Sequence, residues 1–155
     1  MSNISSSILL ELILPIACWW LKREEARIRR EGVPLDSDLI ETARRIGVAF
    51  PELVRLSFVE QVPRMHPWLL AVANRVGLCS PLTTGMSLRY GIFVRSDFRG
   101  DRRLLIHELA HTRQYERLGG IRPFLRQYLY ECLVTPGYPF GRLEQEAIEI
   151  EARGH

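Results

Sequence analysis

His107 and His111 stand four residues apart in the run His107-Glu108-Leu109-Ala110-His111. On a helix of 3.6 residues per turn both imidazoles leave the same face, with Glu108 about 100° around the axis from the first. Two ring nitrogens one turn apart can grip a divalent ion, and a carboxylate beside them can take a proton from water activated there. That is the chemistry of zinc-dependent hydrolysis, with His107 and His111 as metal ligands and Glu108 as general base. With 4 His among 155 residues, such a pentapeptide arises by chance on the order of 1% of the time. Its setting adds weight, because Leu104, Leu105, Ile106, Leu109 and Ala110 make the helix apolar nearly all round, as in a buried helix. The competing reading is a core helix whose two histidines and glutamate are satisfied by ordinary hydrogen bonds. A metal would compensate all three polar groups at once.

A catalytic zinc takes three protein ligands and keeps a fourth position for water, so a third ligand is required. Glu116, Glu131, Glu144 and Glu146 are the candidates. Glu116 lies roughly 140° from His111 on the same helix and is set aside. In Leu143-Glu144-Gln145-Glu146-Ala147-Ile148, positions 144, 147, 148 and 151 share a face, and Ala147 and Ile148 mark it as the inward one. Glu146 points about 200° away, toward solvent, alongside Glu149. Glu144 is therefore favoured, with Glu131 as its rival. The carboxylate not used is expected to orient a ligand histidine through its other nitrogen.

These groups need elements to hold them. Asp97 or Asp101 is suited to cap the histidine helix, and Gly119-Gly120 to end it after Leu118. Met86 to Arg95 alternates, with Met86, Leu88, Tyr90, Ile92 and Val94 on one side, and predicts a single strand just ahead of that helix. Val54 to Val62 predicts another, burying Val54, Leu56, Phe58 and Val62. Asp36 or Ser37 opens a short helix through Ile46 that closes at Gly47. Pro63 and Pro67 bracket a turn, Trp68 to Val76 reads as a helix closing at Gly77, and Cys79 to Gly85 as a loop. Pro123 suits the first turn of a helix running to about Leu133, and a last helix spans Arg142 to Arg153. The expected class is α+β, one mainly helical domain over 1–155 with a small antiparallel sheet preceding the site helix, and a metal-binding core over 86–152.

The stretch Ile4 to Leu21 is apolar, yet it lacks a basic start, contains Glu11 and Pro15, and runs into the charged segment Lys22 to Arg30. A secretory signal is not expected. Residues 5–30 predict a helix, kinked at Pro15, whose apolar half packs on the domain. The alternative is an interfacial membrane helix with Trp19 and Trp20 at the boundary, giving membrane-surface contact through residues 4–21. The composition, 46% hydrophobic and 25% charged, is that of a soluble globular chain. Its cations are nearly all arginine, Lys22 being the lone lysine, and they are scattered, so nucleic-acid binding is not expected. Cys18, Cys79 and Cys132 form no CxxC and no even set. That pattern points to a reducing, cytoplasmic setting and to cysteines as core filler.

The runs His107-Glu108-Leu109-Ala110-His111-Thr112-Arg113-Gln114-Tyr115, Phe124-Leu125-Arg126-Gln127-Tyr128-Leu129, Gly137-Tyr138 and Leu143-Glu144-Gln145-Glu146-Ala147 resemble a minimal gluzincin-type zinc metallopeptidase. They are similar to a group of short bacterial metalloprotease-like proteins. The likeness covers residues 86–152. It implies a zincin-like fold, a Zn²⁺ cofactor, and Glu144 as the ligand that opens an E-x-x-A-D ending. Ile148 stands where that ending has Asp, so the carboxylate usual there is missing. It also implies that an extended peptide pairs with the edge strand upstream, here residues 86–95, and that a tyrosine such as Tyr138 or Tyr128 steadies the oxyanion. The function expected is peptide-bond hydrolysis of a peptide or protein substrate. The alternative is a non-catalytic, zinc-stabilised interaction module, in which a base at Glu108 would have no use.

Overall fold

The computed structural model describes residues 2–63, 83–133 and 137–154, with the side chains of 2–6 excepted. Among them lie α1 (Ser2–Glu31), β1 (Val33–Pro34), α2 (Ser37–Ile46), β2 (Arg55–Val59), β3 (Gly85–Leu88), β4 (Gly91–Arg95), α3 (Arg102–Leu118), α4 (Ile121–Leu133) and α5 (Arg142–Arg153). The class is α+β and mainly helical, as expected. The turn after Pro63, the helix at Trp68–Val76 and residues 79–82 of the loop Cys79–Gly85 fall outside the described residues, and Gly85 opens β3.

The sheet has the order β1-β2-β4-β3. It is mixed rather than antiparallel, because β2 runs parallel to β4 while β1–β2 and β3–β4 are antiparallel. Ile92 and Val94 of β4 join a core with α2, α3 and α5, whereas Phe93 joins a second core with α1 and α4. The sheet is therefore packed on both faces, and Gly91 to Val94 are buried in succession. Helix ends follow sequence chemistry. Asp36 accepts from Leu39 N at 2.8 Å and Asp101 from Leu104 N at 3.1 Å. Gly47 and Gly119 close α2 and α3 in the left-handed conformation that glycine adopts at least cost.

The helix expected at the amino end is present and runs through Pro15, whose ring is exposed. Two expectations change. The second strand is shorter than Val54 to Val62, ending at Val59. The single strand over Met86 to Arg95 is a hairpin, broken at Arg89-Tyr90. No Gly, Asn or Asp marks that turn, although Arg89 takes a positive φ of 70°. A buried carboxylate from α1 makes up the cost. Glu25 receives Arg89 Nε at 2.8 Å, Arg89 Nη2 at 2.9 Å and Tyr90 N at 3.2 Å, fixing both the turn and the position of β3. Glu25→Ala should therefore lower stability by about 3 kcal/mol, on the order of 10 °C in melting temperature, as read by thermal denaturation. A change within 2 °C, about 0.5 kcal/mol, would show that the turn holds itself.

Candidate metal centre

Helix α3 lies across the sheet with β3 on one side and α5 on the other, so groups from two distant segments meet on its face. His107 and His111 bring their Nε2 atoms to 3.2 Å of each other. Glu144, from the first turn of α5, reaches in with Oε1 at 3.2 Å from His107 Nε2 and Oε2 at 3.4 Å from His111 Nε2. One ligand atom from each of the three residues lies within 4.8 Å of the others.

The hydrogen-bond partners assign the protons on the two Nδ1 atoms. His107 Nδ1 donates to Glu151 Oε2 at 3.2 Å. His111 Nδ1 donates to Gln114 Oε1 at 2.9 Å, and that amide cannot be turned around because its Nε2 is given to Leu143 O at 2.8 Å and Glu146 Oε2 at 3.2 Å. With Nδ1 engaged in this way, both Nε2 atoms face each other and the Glu144 carboxylate. In the metal-free chain a proton on His107 Nε2 can meet the Glu144 carboxylate. A single proton serves one pair of atoms, whereas a zinc ion serves all three residues. Tetrahedral zinc with ligands at about 2.0–2.1 Å sets neighbouring ligand atoms about 3.3 Å apart; the two Nε2 atoms meet that spacing at 3.2 Å, while the contacts to Glu144, 3.2 and 3.4 Å, are made by its two different oxygens.

Electrostatics agree with the geometry. Burial alone would lower His107, but the Glu144 hydrogen bond and the charges of Glu108, Glu144 and Glu151 raise it to about 9. Burial likewise opposes ionisation of Glu144, yet hydrogen bonds and charge from His107 and His111 hold it well below the ordinary carboxylate range. Glu108 moves the other way. Burial raises it, only partly offset by His111 and His107, while Ser87 N–H donates to its carboxylate. A buried carboxyl with a raised pKa is a better proton acceptor than an ordinary surface glutamate.

The structure brings His107, His111 and Glu144 together, with Glu108 beside them. Glu131 is elsewhere engaged: Oε1 receives Gln127 Nε2 at 2.9 Å and Oε2 receives Leu143 N at 3.0 Å. It caps the start of α5 from α4 and orients no histidine. Glu116 binds Ala49 N, Phe50 N and the Tyr90 hydroxyl. Glu146, expected in solvent, is half-buried among Arg113, Arg117 and Gln114, and is held below the usual range chiefly by Arg117. The Tyr128 hydroxyl donates to Glu144 Oε2 at 3.0 Å and its ring meets His111 edge-on, so it steadies a ligand. Tyr138 lies in the loop before α5 with its ring partly open to solvent.

The sequence reading missed Glu151 and Gln114. Ile148 is 38% exposed, and the inward face of α5 centres on Leu143, Ala147 and Ile150. A carboxylate at 148 would therefore not be on the inward face, whereas Glu151, two turns after Glu144, meets His107 Nδ1. The sequence signal was present, since 151 shares a side with 144, but an E-x-x-A-D pattern directs attention one turn too early. Removing Glu151 (Glu151→Ala) should cut zinc affinity about 10- to 100-fold, measured by competition with a chromogenic chelator. Unchanged affinity would mean that His107 is held by packing alone.

The free edge of β3 is also more restricted than expected. Arg95 N bonds Thr84 O at 2.8 Å, so in the β3–β4 register Gly85 and Ser87 are the residues whose backbone groups turn away from β4. Ser87 N–H goes to Glu108 and Ser87 C=O accepts from the Tyr115 hydroxyl at 3.2 Å. Among the described residues, helix α3 therefore occupies one rung of that edge, at Ser87, and none takes the outward backbone groups of Gly85. A Cβ on Gly85 would stand 2.8 Å from Glu108 Oε1, so the open rung adjoins the base directly.

No protein-family model, no curated protein and no solved structure matches this chain.

Proposed function

We propose that the chain is a small zinc-dependent peptidase of gluzincin type, in which His107, His111 and Glu144 hold the metal and Glu108 is the general base. The observation that carries the reading is the convergence of the two Nε2 atoms and the Glu144 carboxylate beside the buried carboxyl of Glu108. Bound zinc would supply Lewis acidity, acidifying water and polarising a carbonyl. Glu151 and Gln114 fix the tautomer and tilt of the two imidazoles. Tyr128 fixes Glu144. Glu108 would accept a proton as water adds to the carbonyl carbon and the C–O bond forms, and would then deliver it to the amide nitrogen, whose C–N bond breaks as the amine leaves. Gly85 offers an extended substrate backbone one rung of pairing next to Glu108, an arrangement suited to short contact with peptides rather than a deep specific groove.

Retention of a base supports an enzyme over a zinc-stabilised module, because a structural site requires ligands only. The test is hydrolysis of a mixed peptide library by the purified chain, followed by mass spectrometry. Expected is cleavage that stops with 1,10-phenanthroline and returns with one equivalent of Zn²⁺. Stoichiometric zinc without any cleavage would favour the non-catalytic module, and cleavage indifferent to the chelator would remove the metal from the account.

A further inference from the structure

The inward side of α1 fills the core through Leu10, Leu14, Ala17 and Leu21. Its outward side is apolar as well. Ile8, Leu12, Ile16 and Trp19 are 58%, 68%, 40% and 60% exposed. Their spacing of four, four and three places them in one line along the helix. The same line continues as Arg23, Ala26 and Arg30, all exposed, with Lys22 and Arg29 alongside. At the junction the Arg23 guanidinium stands 5.6 Å from the Trp19 ring centre. Glu11 interrupts the apolar part but is paired by Arg126 of α4 at 2.9 Å. A helical segment apolar on both faces belongs inside a protein or against an apolar medium, and this one leaves Ile8, Leu12, Ile16 and Trp19 in water.

We propose that this stripe docks the protein, lying flat, on an anionic lipid bilayer. Ile8 to Trp19 would sit at the headgroup–acyl boundary, with Lys22, Arg23, Arg29 and Arg30 against lipid phosphates. The order of chemistry along the line carries the choice of partner: an apolar length of about 16 Å, an indole at its end, then four cations. An interface offers that order, with an apolar interior, a level that prefers tryptophan, and negative charge above it. A nucleic acid would answer the cations and leave Ile8, Leu12 and Ile16 in water. Among the described residues no helix is both long and apolar enough to cross a membrane, so the contact proposed is with the surface. The inference does not rest on the metal site.

The full chain is centrifuged with vesicles of phosphatidylcholine alone and of phosphatidylcholine with phosphatidylglycerol. Expected is binding to the anionic vesicles at least about tenfold stronger than to the neutral ones, weakened by salt. The double variant L12E/I16E and the double variant R23E/R30E should each lose about tenfold or more. All four positions are exposed, and melting curves like the wild type will show that the fold is kept. The proposal is overturned if the wild type does not bind, if either variant binds as the wild type does, or if neutral vesicles bind equally well. It is also overturned if the stripe variants only convert a dimer to a monomer in sedimentation equilibrium, which would make the stripe a contact between two copies, or if the cations bind duplex DNA in preference to vesicles.

Discussion

Glu108→Gln should abolish peptide hydrolysis while leaving zinc content and melting temperature near those of the wild type. Glutamine has the same shape, and its amide oxygen can still accept the Ser87 N–H that the carboxylate receives. Packing at this buried site is therefore preserved. What is lost is a group able to hold a proton, since an amide does not ionise in this range. General acid–base catalysis by one positioned side chain contributes about 10²- to 10⁴-fold, so kcat/KM should fall by roughly 10³-fold, about 4 kcal/mol of transition-state stabilisation. Activity within a few-fold of wild type would remove Glu108 from the chemistry. Loss of zinc or of folded protein would make it a structural residue.

The second large effect is expected at Glu144. With zinc at a thousand times its dissociation constant, a site present only in the folded chain adds about 4 kcal/mol to stability, a rise on the order of 10 °C in melting temperature for a domain of this size. Glu144→Gln should lose that zinc-dependent rise. Its amide oxygen still accepts from the Tyr128 hydroxyl, so the metal-free protein should fold as before. The two imidazoles remain, but the third ligand and the only anionic one among the three are gone, and zinc content after dialysis should fall to traces. If Glu144→Gln keeps both stoichiometric zinc and the full thermal shift, the third ligand lies elsewhere. Calorimetry with and without zinc, together with metal analysis, reads both quantities.

Much of this was legible in the sequence where the determinants are local. The caps at Asp36 and Asp101, the terminators Gly47 and Gly119, and the last helix at Arg142–Arg153 depend on residues within a turn of one another. His107, Glu108 and His111 are fixed relative to each other by one helix. Glu144 could be reached because Ala147 marks its side of α5 as inward, although Ile148, offered as a second marker, proves to be 38% exposed.

What escaped depends on distant partners. The hairpin at Arg89-Tyr90 has no turn residues of its own and is held by Glu25, 64 residues earlier. The parallel pairing of β2 with β4 leaves no mark in the alternation of either strand. Glu151 and Gln114 became visible only when α5 was docked on α3, because a second hydrogen bond to a ligand imidazole is a tertiary contact. Glu146 was placed in solvent on the basis of its helix angle, but Arg113 and Arg117 of the neighbouring helix reach it.

The central claim is that one zinc ion sits among His107, His111 and Glu144. Diffraction from crystals grown with zinc, recorded on both sides of the zinc absorption edge, tests it most directly. The account predicts a single strong anomalous peak about 2.0–2.2 Å from both Nε2 atoms and from a Glu144 oxygen, with Glu151 and Gln114 still on the two Nδ1 atoms. A peak elsewhere, or none at saturating zinc while the Nε2 atoms hydrogen-bond to protein groups, would contradict it.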